Sequence, residues 1–125
     1  MLKHLVLSGT VGATLVLGAC ATGPEPVATA HMPGQLEAIH AAAFTRDTAV
    51  FRVSSNGCTD KDDVKPFITK LRSRAVITLR RLEEDSCHNT RADGVLLKWS
   101  FDELGLEPGA EVEVNNPYIL PQAAS

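Results

Sequence analysis

The chain has 125 residues, with 12 Lys and Arg against 15 Asp and Glu and a formal net charge of −3 when histidine is neutral. This length accommodates one small domain. The mild acidity argues against nucleic acid as a partner, because nucleic-acid-binding domains carry basic surfaces.

Residues 1–19 have the layout of a secretory signal peptide. A basic start at Lys3 and His4 precedes an apolar run from Leu5 to Ala19. As a helix this run spans roughly 22 Å, which is short of the ~30 Å hydrocarbon core of a bilayer. The pattern therefore predicts a cleaved signal rather than a spanning helix.

The signal ends in Leu17-Gly18-Ala19-Cys20, which resembles the lipobox of bacterial lipoprotein precursors. The resemblance implies cleavage after Ala19 and acylation of Cys20, so that membrane anchoring is expected to depend on lipid. Ala21 stands where an Asp would imply retention at the inner membrane, which favours the outer membrane facing the periplasm. The alternative is a core cysteine in a buried helix.

Residues 20–34 are predicted to be the lipidated cysteine and a flexible linker. Three prolines, two glycines and no hydrophobic period follow Cys20. Fully extended, residues 21–34 reach at most about 50 Å, so the sequence suggests a domain held clear of the membrane.

Residues 35–121 read as a β domain, followed by a short tail at 122–125. Residues 36–44 are ambiguous and are predicted as strand, with an N-terminal helix packed on a single sheet as the alternative. Ala49, Phe51 and Val53 alternate with polar residues and predict the buried face of a strand. Pro66, within residues 63–70, predicts an edge strand or a loop with a short strand after it.

The second half of the domain repeats this pattern. In residues 74–84, Ala75, Ile77 and Leu79 are predicted to face the core and Val76, Thr78 and Arg80 the outside. Residues 85–94 are predicted as a polar loop, 95–101 as a half-buried strand, 102–106 as one helical turn and 111–115 as the last strand. Five or six short strands predict a mainly β fold, a small antiparallel sandwich or barrel.

Cys58 and Cys87 remain as a pair once Cys20 is assigned to lipid. In an oxidising compartment such a pair predicts a disulfide. A redox or zinc site is disfavoured, because the spacing is not C-x-x-C and His88 alone does not supply the further ligands that zinc requires.

Sequence signatures of catalysis are missing from the chain: it contains no G-x-S-x-G, no H-E-x-x-H and no P-loop lysine. Asp85, Ser86, His88 and Thr90 lie too close in sequence for a catalytic triad. Residues 60–63 resemble the start of a calcium loop, but Lys65 and Leu71 replace the Gly and Glu that an EF-hand requires. No cofactor and no metal are predicted.

Charge is unevenly distributed along the domain. Residues 61–81 carry seven basic and two acidic residues, whereas residues 82–125 carry two basic and nine acidic ones. This asymmetry suggests a binding surface for an anionic partner, either an envelope protein or an anionic glycan. The candidate residues are Arg72, Arg74, Arg80 and Arg81. The alternative is that these charges pair with each other across strands.

Several segments of the domain resemble small secreted proteobacterial proteins of unknown function. The segments are 54–61, 78–87, 99–106 and Asn116-Pro117. The resemblance implies no activity. The sequence therefore favours a membrane-anchored lipoprotein that binds or scaffolds another envelope component rather than an enzyme. An inhibitor of a secreted lysozyme or protease, and a hydrolase with an unrecognised site, are the alternatives.

Overall fold

The structure is a computed structural model and describes residues 27–120, so the predicted signal peptide, Cys20 and the predicted tail lie outside the described residues. Residues 27–120 form seven strands and no helix. The strands are β1 (Gln35–Leu36), β2 (Ile39–Phe44), β3 (Thr48–Ser55), β4 (Val64–Lys70), β5 (Ala75–Arg81), β6 (Arg91–Ser100) and β7 (Val112–Val114).

Two sheets make up the fold. In the first, β5 is central, with β4 on one side and β1 and β7 on the other. In the second, the order is β2-β3-β6 and all pairs are antiparallel. The predicted mainly β domain is therefore confirmed. The pairing of β7 with β5 is parallel, which the predicted antiparallel arrangement did not include.

The core lies between the sheets and contains the residues that alternation predicts. Phe51 and Val53 on β3 and Ile77 and Leu79 on β5 are fully buried, and Trp99 on β6 is 6% exposed. The ring of Phe51 meets that of Trp99 edge-on at 5.9 Å between centroids. Such aromatic pairs add about 1 kcal/mol to the effect of burial alone.

Several segment predictions are confirmed and two are corrected. Residues 36–44 are extended, and β4 with Pro66 is an edge strand. The predicted loop at 85–94 is shorter, because β6 begins at Arg91. Residues 102–106 form successive hydrogen-bonded turns and not a helix, with the N–H of Leu106 donating to the carbonyl of Phe101.

The outer face of β5 was predicted to face solvent, and this prediction is wrong. Val76, Thr78 and Arg80 are 4%, 0% and 8% exposed. Residues 27–34, the last part of the predicted linker, lie against this face, and we call them the strap.

Two side chains hold the strap. The Arg80 guanidinium donates to the carbonyls of Met32, Pro33 and Gly34, and Asn115 donates to the carbonyl of Val27. Packing of the domain therefore begins at least eight residues before the predicted boundary at 35.

No helix within residues 27–120 has the length and hydrophobicity needed to cross a membrane.

Candidate functional site

The Cys58–Cys87 disulfide joins two exposed loops at one end of the sandwich, and the predicted pairing is confirmed. The two Cα atoms are 5.9 Å apart. We call residues 56–59 and 85–90 the disulfide loops, and this end of the sandwich the disulfide end. The first loop follows β3, and the second lies between β5 and β6.

The backbone before these loops is shaped by an irregularity in the β3–β6 pair. Val53 pairs with Val95 but Ser55 pairs with Arg91, so β6 contributes extra residues that bend it. Gly94 has a φ of 69° at this bulge. This bulge lies at the start of β6, directly after the second disulfide loop in sequence.

Asp85 connects the two loops through its carboxylate. Oδ1 accepts a hydrogen bond from the N–H of Cys87 within its own loop, at 3.1 Å. Oδ2 accepts hydrogen bonds from the first loop and the end of β3. Its donors are the N–H groups of Asn56 and Cys58, at 2.8 and 3.0 Å, and the hydroxyls of Thr59 and Ser55, at 2.8 and 3.3 Å.

The environment of Asp85 favours its ionised form. Desolvation raises the pKa of this carboxyl, but the hydrogen bond from Thr59 and those from three backbone N–H groups outweigh it. The pKa of Asp85 therefore lies well below its usual range. Its contribution is a fixed negative charge that holds the loops, not a proton donor at neutral pH.

Further hydrogen bonds between the loops leave their tips exposed but ordered. The N–H of Asn89 donates to the carbonyl of Asn56 at 2.8 Å, and the Thr90 hydroxyl donates to the Asn56 side chain at 3.2 Å. Gly57, Ser86, His88 and Asn89 remain exposed. The disulfide end therefore presents a polar surface whose backbone is fixed before any partner binds.

A groove of about 350 Å³ runs beside the disulfide loops. Glu37 and Arg81 form an ion pair in it, with side chains 8% and 16% exposed. Arg81 also donates to the carbonyl of Ser54, on the other sheet. The groove is lined by Gln35, Glu37, Ser54, Ser55, Asn56, Arg81, Glu84 and Asp85.

Ser54, which lines this groove, forms with His40 a pair that has the chemistry of a nucleophile and a base. His40 Nε2 and Ser54 Oγ are 2.9 Å apart on neighbouring strands, and Ser54 is exposed. Within residues 27–120 no hydrogen bond joins His40 to a carboxylate that would fix its tautomer. Among the described residues, the pair is therefore a surface hydrogen bond without the third group of a triad.

The four arginines predicted as a binding surface do not lie together. Arg72 is exposed in the turn between β4 and β5, and Arg74 pairs with Glu113 at 2.9 Å. Arg80 holds the strap and Arg81 joins the two sheets at the opposite end of β5. Of these four arginines, Arg72 is the one that is exposed and makes no such contact with the described residues.

Three potential metal ligands, Cys58, Asp85 and Cys87, lie within 4.8 Å of one another. The two sulfur atoms form the disulfide, and the Asp85 oxygens accept hydrogen bonds. These contacts occupy the ligand atoms in the oxidised protein. At residues 60–63, Asp60 and Asp63 likewise accept hydrogen bonds from backbone N–H groups of their own turn.

A second depression, of about 470 Å³, lies where β4 faces the end of β6. Lys61 lies 5.4 Å from the centroid of the Trp99 ring and pairs with Glu103 at 3.1 Å. Hydrogen bonds from the N–H of Ser100 and from Lys61 lower the pKa of Glu103. Lys61 thus covers the edge of the core.

No protein-family model, curated protein or solved structure matches this chain.

Proposed function

We propose that this chain is an envelope lipoprotein, anchored by acyl chains on Cys20, whose β-sandwich binds another envelope component through the disulfide loops. The lipobox resemblance supports the anchor, and Ala21 favours the outer membrane facing the periplasm. Each buried methylene contributes about 0.8 kcal/mol, so two or three acyl chains suffice for stable anchoring. The proposed partner is an envelope protein.

The observation that carries the binding proposal is the order imposed on exposed loops. A disulfide and five hydrogen bonds to Asp85 fix polar backbone that contributes little to the core. Loops held on a rigid scaffold are where binding residues concentrate, and a fixed loop loses less conformational entropy on binding. We propose binding rather than catalysis because, in the described part of the chain, no carboxylate is hydrogen-bonded to His40 of the Ser54–His40 pair.

The anchor is tested by metabolic labelling with a palmitate analogue. We expect labelled wild-type protein in the membrane fraction, and unlabelled, uncleaved protein for Cys20→Ala. Labelling of the Cys20→Ala variant would contradict the proposed acylation site.

The binding surface is tested by crosslinking in the native envelope. We expect a specific crosslinked partner that is lost when His88 and Asn89 are both replaced by Ala. The matched control is Lys98→Ala, an exposed position on β6 away from the disulfide end. Equal crosslinking by the loop variant, the control and the wild type would contradict binding through the disulfide loops.

A second candidate, inhibition of a secreted hydrolase, is favoured by the exposed and fixed backbone of residues 86–90. Such a segment suits an enzyme cleft because it can enter without first becoming ordered. A panel of lysozymes and proteases tests this function. We expect inhibition of one enzyme class that weakens about tenfold in His88→Ala, corresponding to about 1.4 kcal/mol. Unchanged rates across the panel would exclude inhibition of those enzymes.

The positions of the four arginines leave Arg72 as the candidate residue for binding an anionic partner. Arg72 lies in the turn between β4 and β5, at the end of the sandwich opposite the disulfide loops. An anionic glycan or lipid headgroup would therefore meet a different surface from the protein partner.

A further inference from the structure

The strap follows the outer face of β5 in a definite direction. The carbonyl of Val27 is 3.0 Å from Asn115 Nδ2, which also lies 3.5 Å from the hydroxyl of Thr78, in the middle of β5. The carbonyls of residues 32–34 are held by Arg80, near the end of β5. The strap therefore runs toward the disulfide end, and Val27 lies nearer to the other end than residues 32–34 do.

That other end, which we call the hairpin end, contains the turn between β4 and β5. Lys70, Leu71 and Arg72 are exposed in this turn, and Leu71 is 40% exposed. The N–H of Leu71 donates to the carbonyl of Arg74 at 2.8 Å, which closes the turn. An exposed leucine between two basic residues is therefore held at the tip of a β-hairpin.

We propose that the strap orients the domain on the membrane, with the hairpin end against the phospholipid surface and the disulfide loops pointing away from it. The inference rests on the proposed acylation of Cys20. It deepens the proposed function, because it places the partner-binding loops where a periplasmic protein can reach them.

The length of chain between Cys20 and Val27 supports this orientation. These seven residues span at most about 25 Å when fully extended. From Thr78 to the hairpin tip, the rise of β5 and the turn together cover about 20 Å. Because the reach scarcely exceeds this length, the hairpin tip is expected to lie within about 5 Å of the lipid headgroups.

The chemistry of the tip fits a phospholipid surface. Leu71 can enter the boundary between headgroups and acyl chains, while Lys70 and Arg72 meet the phosphates. Glu107 and Glu111 line the depression beside the tip and offset its positive charge. The contact is therefore expected to depend on Leu71 and on the short reach, with only a weak dependence on the fraction of anionic lipid.

Fluorescence quenching by brominated phospholipids tests the orientation. The acylated protein is reconstituted into phosphatidylcholine vesicles with and without phosphatidylglycerol. Leu71→Trp and the matched control His88→Trp place reporters at exposed sites on the two ends, and the wild type supplies the signal of Trp99. We expect quenching of the Leu71→Trp reporter to exceed that of His88→Trp by at least about twofold.

A second variant tests the role of chain length without touching the domain. Inserting about 20 Gly and Ser residues between Pro26 and Val27 adds an average reach of about 25 Å. We expect the two reporters then to be quenched equally. A persisting difference would overturn the inference, because the short reach would not be setting the orientation.

The outcomes separate this inference from the proposed anchor. Equal quenching of both reporters in acylated, vesicle-bound protein overturns the orientation alone. Protein that is not acylated and does not sediment with vesicles overturns the anchor, and the orientation with it.

Discussion

At the scale of single residues, Asp85 determines the structure of the candidate site. Its two oxygens accept hydrogen bonds from both disulfide loops and from the end of β3. A carboxylate with this many donors is stabilised in its ionised form. The same side chain therefore couples the geometry of the loops to pH.

We predict that Asp85→Asn lowers the melting temperature at pH 7 by at least several degrees. The amide cannot accept every hydrogen bond that the carboxylate accepts, and it carries no charge. The measurement is thermal unfolding followed by circular dichroism. Glu84→Gln is the control, because it removes a charge from an exposed neighbour. An equal effect of the two substitutions would contradict the role of Asp85.

The sign of the pH dependence follows from the low pKa of Asp85. A carboxyl whose pKa is lower in the folded state stabilises the protein above its unfolded pKa of about 3.9. This stabilisation is lost as pH falls from about 4 toward the folded pKa. The wild type is therefore expected to lose its advantage over Asp85→Asn between about pH 4 and 2. An advantage that stayed constant over this range would contradict the linkage.

Sequence predicted the cysteines of this site but not its central carboxylate. The Cys58–Cys87 pairing follows from counting thiols, because the predicted acylation of Cys20 leaves each of these cysteines one possible partner. Only one contact of Asp85 is local in sequence: its carboxylate accepts a hydrogen bond from the N–H of Cys87, two residues later, which forms an Asx turn. Its other donors lie 26 to 30 residues away in sequence, and only the folded chain brings them together.

At the scale of elements, the bulge in β6 lies directly after the second disulfide loop. Gly94 has a positive φ, and a methyl group at this position would overlap the carbonyl oxygen of Val53. Gly109 also has a positive φ, but nothing lies within 4 Å of its position for a methyl group. Comparing alanine substitutions at Gly94 and Gly109 therefore distinguishes the cost of steric overlap from that of backbone strain.

We predict that Gly94→Ala destabilises the domain by about 2 to 4 kcal/mol, since overlap adds to the strain of a left-handed residue. Gly109→Ala is expected to cost about 1 kcal/mol, the strain alone. Urea denaturation of both variants measures the difference. Equal destabilisation would show that β3 and β6 separate at the bulge without cost.

Sequence predicted the strands well where alternation faces one core. The buried triplet Ala49, Phe51 and Val53 is an example. The sequence-based prediction of exposure failed on the outer face of β5, because the polar residue Arg80 is covered by the strap. The strap is the end of a segment, residues 21–34, whose three prolines and two glycines are typical of a linker. Its docking depends on distant side chains such as Asn115. The parallel register of β7 is likewise fixed by a partner 37 residues away.

At the scale of the whole molecule, the charge asymmetry of the sequence is partly used within the fold. Lys61 and Arg74, from the basic segment, pair with Glu103 and Glu113 from the acidic one. Exposed pairs of this kind contribute at most about 1 kcal/mol each to the stability of the fold. Their main effect is to hold the basic and acidic segments in register. Lys70 and Arg72, also from the basic segment, are exposed at the hairpin end, which distinguishes that end from the disulfide end.

The disulfide is predicted to stabilise the whole domain but not to be the only link between its loops. Closing a loop with a sequence separation of 29 contributes about 3 to 4 kcal/mol on the chain-entropy model. A variant with Cys58→Ser and Cys87→Ser should lose this amount in urea denaturation, out of the roughly 5 to 15 kcal/mol typical of a domain.

This variant should nevertheless remain folded at 25 °C, because Asp85 still holds both loops. Hydrogen exchange at the N–H of Asn89, which donates to Asn56 across the loops, checks this point. We expect its protection to fall in step with global stability in the cysteine variant and to vanish only when Asp85→Asn is added. Complete loss of that protection in the cysteine variant alone would show that the disulfide by itself orders the candidate binding surface.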